Sequence, residues 1–259
     1  MSPPHVEING GPATSDQLAF PAVVNYGHFT AMQVRNGAVR GLGLHLTRLD
    51  LATRELFGTS LDGELVRAHI RHALGAGSPD ASVRVSVFQP DPGGPPSIMV
   101  VVRPAEDPPA GPQRLTAVEY QRPVAHIKHT GTFGQTFHGR AARRAGFDDA
   151  LLTGAGGVIA EGAITNVGFF DGSDVIWPDA PSLVGITMQL ITTALAGRAV
   201  PSRHDTVRVA DLPSFRSAFV TNSLGVAPLG QVDDQVLPAD PVFIRGVADA
   251  YESVLWDRI

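Results

Sequence analysis

The chain has 259 residues, of which 43% are hydrophobic and 17% charged, with a formal net charge of −5. That is enough apolar chain for one large domain or two modest ones, and the 28 Gly and 21 Pro are spread out rather than gathered in a disordered tract. The acidic balance argues against general nucleic-acid binding, no run approaches the roughly 20 apolar residues of a membrane helix, the opening MSPPHVEINGG lacks a secretory layout, and zero cysteines exclude disulfides, thiolate metal sites and cysteine nucleophiles. A globular, cytoplasmic protein is expected.

In chain order, a short strand over Val6–Ile8 runs into an Asn9-Gly10-Gly11 turn, and Val34 and Val39 flank a second turn at Asn36-Gly37. The spacing of Leu46, Leu49, Leu56 and Phe57 predicts a helix from about His45 to Phe57, stopped by Gly58. A second helix is expected over Gly63–Leu74. Val83, Val85 and Val87 alternate as in a strand, QPDPGGPP forms a turn, and Ile98–Val102 returns as a buried strand. The stretch PAEDPPAGP, Pro104 to Pro112, reads equally as a domain edge or a long loop.

Beyond it, a strand near Leu115–Tyr120 precedes a helix from about Gly134 to Ala145. Short strands follow at Asp149–Leu152, Val158–Ala160, Thr165–Phe170 and Val175–Trp177, then a helix from Gly185 to Ala196 and a strand over Ser217–Thr221. The apolar spacing from Pro241 to Trp256 predicts a closing helix. The whole reads as α/β (α+β) in two unequal parts.

Of the 20 basic residues 19 are Arg, and the single Lys is Lys128. Drift of a GC-rich genome toward Arg explains the nineteen. Arg keeps its proton in a protein and cannot serve as an amine nucleophile, so the exception points to a position that needs a primary amine.

From His126 the sequence reads HIKHTGTFGQTFHGRAARRAGFDDALLTGAGGVIAEG, followed by AITNVGFF. A Lys after a strand, a helix carrying ARRAGFDDALL, and then GGVIAEGAITN resemble the class IV aminotransferases. These fold-type IV pyridoxal-phosphate enzymes include branched-chain and D-amino-acid aminotransferases and aminodeoxychorismate lyase. The resemblance runs from about Ile8 to Gln231.

It implies a cofactor, pyridoxal 5'-phosphate, in the cleft of a two-domain fold. The smaller N-terminal α/β domain is placed at residues 1–118 and the larger cofactor-binding domain at 119–259. Lys128 matches the Schiff-base lysine, which also shuttles the substrate proton and is expected to have a lowered pKa. Glu161, in the EG-x-x-x-N pattern, matches the partner of the pyridine nitrogen, with Asn166 bracing the turn and Thr165 beside the ring. Val184-Gly185-Ile186-Thr187 resembles a P-G-I-T segment at a helix start. It makes Gly185, Ile186 and Thr187 phosphate contacts, with Arg48 of HLTRL as the phosphate cation and Ser223 and Leu224 of TNSL in the second phosphate loop.

The substrate side departs from the pattern. Tyr26 and Arg35, in NYGHFTAMQVR, fall on a pocket-lining motif in which Ala31 replaces an aromatic and Met32 an acid. Phe133 stands where branched-chain enzymes carry a Tyr. Gln89 stands where the lyase has a diacid-binding Arg, which counts against diacids. His129 lies outside the pattern and reads as structural, and His69 and His72 read as surface residues without the carboxylates a metal site needs.

The resemblance implies transfer of an amino group from an amino acid or amine to a 2-oxo acid, in a homodimer without nucleic-acid or membrane partners. A lyase of the aminodeoxychorismate type and a non-catalytic relative are the alternatives.

Overall fold

A computed structural model describes residues 4–75 and 79–259. The first three residues of the opening stretch lie outside the described residues. The chain falls into two compact units. One comprises Met1–Glu106, Ile127–Gly131 and Leu255–Ile259, and the other Asp107–His126 and Thr132–Val254. The division thus follows Glu106 rather than residue 118, and two short segments return to the first unit.

The first unit contains β1 (His5–Ile8), β2 (Gly11–Pro12), α1 (Ser15–Val23), β3 (Gly27–Val34), β4 (Ala38–Arg40), α2 (Leu42–Phe57), α3 (Gly63–Leu74), β5 (Ala81–Phe88) and β6 (Ser97–Pro104). A five-stranded sheet runs β2-β1-β6-β5-β3. β3 pairs antiparallel with β5 over its full length, with Ala31 opposite Arg84. Val34, Val83, Val85 and Val100 pack against Leu49 of α2 and Val66 and Ile70 of α3. Each such fully buried side chain contributes roughly 1.5–3 kcal/mol.

α3 begins where Asp62 accepts the amide of Glu64 at 2.9 Å. On the same unit the exposed His72 and His5 hydrogen-bond the buried Glu7 carboxylate at 2.7 and 2.9 Å.

The second unit contains β7 (Gln113–Glu119), α4 (Phe133–Arg144), β8 (Asp149–Thr153), β9 (Ile159–Gly162), β10 (Asn166–Phe170), β11 (Val175–Pro178), α5 (Ile186–Ala196), β12 (Ser202–Asp205), β13 (Ser217–Asn222), β14 (Gly225–Val232), β15 (Gln235–Val236) and α6 (Pro241–Glu252). Its nine-stranded sheet runs β12-β11-β10-β13-β14-β7-β8-β9, with β15 on β14. β7 belongs here because it pairs in parallel with both β14 and β8.

α5 and α6 bury Met188, Ile191, Leu195, Val247 and Ala250 against Trp177 and Phe219. α6 ends at Glu252, and Trp256–Arg258 forms β16 on β4 instead of finishing the expected helix. Its Asp240 cap accepts the amides of Val242 and Phe243 at 3.0 Å. No helix among the described residues is long and apolar enough to cross a membrane.

Parallel pairing of β7 and β8 demands a crossover. Within it, Ile127–Gly131 belongs to the first unit, where Phe29 donates its amide to the Lys128 carbonyl at 2.8 Å and Thr130 donates to the Gly27 carbonyl at 2.9 Å. Lys128 is therefore carried alongside the start of β3.

Candidate active site

In the first unit the Lys128 amine stands 4.9 Å from the centre of the Phe29 ring. The Arg84 guanidinium rests on the same ring at 3.6 Å. Arg84 lies on β5, is half-buried, and donates to Ser86 Oγ at 3.2 Å. Burial, and next the charge of Arg103, hold its pKa below the usual value. No acidic side chain pairs with it among the described residues. Its cross-strand neighbour is Ala31, the small residue that replaces an aromatic of the family pattern.

α2 supplies Arg48 and His45 one helical turn apart. His45 is buried, with Nδ1 2.6 Å from Thr30 Oγ1. Burial above all, then the positive charges of Arg48 and Lys128, pushes His45 down to about 3. Burial likewise lowers His28, 3.0 Å from Thr53 Oγ1, to about 4. Both imidazoles are neutral at physiological pH.

The unfolded chain protonates these histidines near 6.5, so it binds more protons than the folded chain below that pH. Their contribution is flat above about pH 6.5, and stability falls as the pH drops toward 4. The expected loss is several kcal/mol in total, at about 1.36 kcal/mol per unit of separation. Denaturant unfolding at about pH 7 and about pH 4.5 checks this, and equal stabilities at the two would contradict it.

The other first-unit candidates are engaged locally. Arg35 donates to Gln33 Oε1 and the Val34 carbonyl at 3.2 Å and to the Glu106 carbonyl at 2.9 Å. Gln89 braces its turn through the Gly94 carbonyl at 2.6 Å. Tyr26 is exposed and meets Phe57 edge-on. His129 bridges to His28 through the backbone.

In the second unit Glu161, on β9, is 6% exposed. Its Oε1 lies 3.2 Å from Arg122 Nε, and its Oε2 accepts the Leu183 amide at 3.1 Å. Arg122, buried too, also donates to the Ala125 carbonyl.

Asn166 donates to the Leu183 carbonyl at 2.6 Å, so Glu161 and Asn166 grip the turn before α5 from both sides. A Cβ on Gly185 would sit 1.9 Å from Asn166 Oδ1, which is why a glycine precedes the helix. Gly185 offers α5 no side-chain cap, and the first amides of the helix, from Ile186 and Thr187, have no intrahelical acceptor. Thr187 Oγ1 donates to the Asn222 carbonyl at 2.7 Å, joining this helix start to the loop of Ser223 and Leu224.

The hydroxyl of Thr165 is buried without a hydrogen-bond partner among the described residues. A Cβ on Gly162 would fall 2.1 Å from it. Thr165, Thr221, Asn222 and Leu224 line a cavity of about 180 Å³ together with Asp149 and Arg143. Phe133, at the start of α4, is 82% exposed and stacks with Phe137.

The first unit thus groups Lys128, Arg48 and His45, and the second groups Glu161, Asn166, Gly185, Thr187 and the 222–224 loop. Sequence reasoning missed Arg84 and Arg122. Arg84 alternates with valines in VRVSVF and reads as an outward-facing strand residue. Arg122 lies six residues before Lys128 in a segment with no periodicity, and nothing local signals its burial.

Residues 27–232 match the family Amino-transferase class IV, which is most of the chain. The chain belongs to the class IV aminotransferases. No curated protein matches it.

Among solved structures it is similar to a hypothetical aminotransferase from Mycobacterium tuberculosis in its alpha-ketoglutarate and PMP bound form. The identity is 21% and the TM-score 0.81, over 91% of this chain and 90% of that one. It is similar also to a branched-chain aminotransferase from Thermoproteus uzoniensis with norvaline, at 19% identity and a TM-score of 0.83, over 95% and 93%. A fold IV-transaminase from Curtobacterium pusillum gives 20% and 0.79, over 90% and 88%. At these identities the likeness is one of fold.

Proposed function

We propose that this chain is a pyridoxal-phosphate-dependent aminotransferase that moves an amino group from an amino acid or amine to a 2-oxo acid. The observation that carries the reading is the buried Glu161 carboxylate, kept beside Arg122 and the Leu183 amide. A buried ion pair is a costly way to gain stability, and its value here is a carboxylate held in one place. Such a group suits a protonated ring nitrogen.

When bound, the cofactor supplies an electron sink for the substrate's alpha carbon. The donor set fits it. The open amides at the start of α5, that of Thr187 among them, and the Ser223 hydroxyl suit a phosphate, and Arg48 is the cation this reading assigns to it. The buried Thr165 hydroxyl offers a further contact. Lys128 Nζ is the amine that would hold the cofactor and, when free, would hold or move a proton at the substrate's alpha carbon. His45 and His28 are neutral and bring no competing cation to the lysine.

Arg84 sharpens the substrate reading. A half-buried guanidinium without an acidic partner, on the ring that also carries Lys128, suits an acceptor with a second carboxylate. Arg35 is engaged locally and Gln89 carries no charge, so in this reading Arg84 on β5 is the substrate cation and diacids re-enter. That the similar M. tuberculosis structure holds alpha-ketoglutarate supports this reading.

Arg84→Leu is expected to raise KM for 2-oxoglutarate roughly 10- to 100-fold, the scale of a lost charge-assisted contact, with little change for 4-methyl-2-oxopentanoate. Equal effects on both acceptors would contradict it. In the same assay, an amino acid formed stoichiometrically with the donor's oxo product supports transfer, and pyruvate release without an acceptor would overturn it in favour of the lyase. Exposed Tyr26 and Phe133 are the residues a second copy would cover in the homodimer this reading expects, and sedimentation checks that state.

A further inference from the structure

α2 lacks a cap of its own. The residue before it, Gly41, has a positive φ of 72° and no side chain to accept an amide. The acceptor comes from 215 positions along the chain: Leu42 donates its amide to Asp257 Oδ2 at 2.9 Å.

Asp257 sits in the middle of β16, which pairs with β4 in the register Trp256↔Arg40, Asp257↔Val39 and Arg258↔Ala38. The exposed segment is held at several points. The Arg40 guanidinium covers the Trp256 ring at 4.1 Å, and Arg258 donates to the Asn36 carbonyl at 2.9 Å. Arg67 donates to the Arg258 carbonyl at 2.6 Å, and Ile259 packs against the first-unit core. A carboxylate at a helix start also meets the favourable end of the helix dipole. The helix so capped is the one that carries His45 and Arg48, the latter under two turns from Leu42.

We propose that Asp257 is a positioning residue for the cofactor phosphate. Clamped on β4 by β16, it fixes the start of α2 and thereby the seat of Arg48. Loss of the cap frees the first turn, and Arg48 then spends binding energy on finding its place. This inference rests on the reading of Arg48 as the phosphate cation.

The test compares binding of pyridoxal phosphate and of pyridoxal, followed by absorbance, in the full chain and in Asp257→Ala, Asp257→Asn and Arg48→Gln. Asp257→Ala is expected to weaken pyridoxal phosphate about three- to tenfold, the usual scale of a lost cap, and to leave pyridoxal unchanged. Asp257→Asn, which keeps an accepting oxygen, restores most of the affinity. Equal weakening of both ligands, or no rescue by Asn, overturns the inference and leaves Asp257 a purely structural residue. If Arg48→Gln loses phosphate-specific affinity while Asp257→Ala does not, the inference alone fails. If Arg48→Gln loses none, the phosphate role of Arg48 fails with it.

Discussion

Replacing Lys128 by alanine is expected to lower amino transfer by roughly a thousandfold or more, because in the proposed reaction nucleophile and proton carrier vanish together. Folding is expected to survive. The Lys128 main chain holds its place on β3 through its carbonyl, which the substitution does not touch. Among what the side chain gives up is its approach to the Phe29 ring, worth about 0.5–1 kcal/mol. A small exogenous amine should return part of the activity, since it replaces the missing base without the chain. Thermal unfolding and steady-state rates, taken on one preparation, check both halves. A variant that keeps a tenth of the rate would show that the amine is not at the chemistry.

The second large effect is on stability. Arg122→Leu leaves the Glu161 carboxylate buried without its guanidinium, and stranding one member of a buried pair costs about 3–5 kcal/mol. In a chain of this size that lowers Tm by roughly 10 °C. The double replacement Arg122→Leu with Glu161→Leu removes the stranded charge and should recover most of the loss, because two apolar groups need no partner. It should not recover activity. Stability and activity are therefore expected to separate, with the pair dispensable to the fold but needed for the proposed reaction. A double variant that transfers amino groups at the unaltered chain's rate would contradict the role given to Glu161.

The elements that sequence made legible are those whose ends and faces announce themselves. α3 is found over Gly63–Leu74 as expected, because Asp62 caps it and Val66, Ile70 and Ala73 share its buried side. α1 escaped notice because Pro21 lies inside it and it buries no residue completely, although Thr14 and Gln17 form a capping box at its start. β3 escaped because almost every residue in it is buried, which erases the alternation that marks a half-exposed strand. Trp256 fitted a helical spacing, yet its segment pairs with β4, and no local pattern reports a partner more than two hundred residues away.

The site divides in the same way. Lys128 stands out by composition, and Glu161, Asn166 and the Gly185–Thr187 segment stand out by motif. The side chains around them became visible only through burial. Arg122 and Arg84 are two of nineteen arginines, and what distinguishes them is that one lies against a buried carboxylate and the other against a shared aromatic ring.

The central claim is that Lys128 carries the cofactor. Its most direct test is to incubate the intact protein with pyridoxal phosphate, record the visible absorbance, reduce with borohydride and map the peptides by mass. The account predicts a visible band that reduction abolishes and a single stable pyridoxyl adduct on the peptide containing Lys128. A chain that shows no such band at saturating cofactor, or an adduct at the amino terminus with Lys128 unmodified, would contradict it.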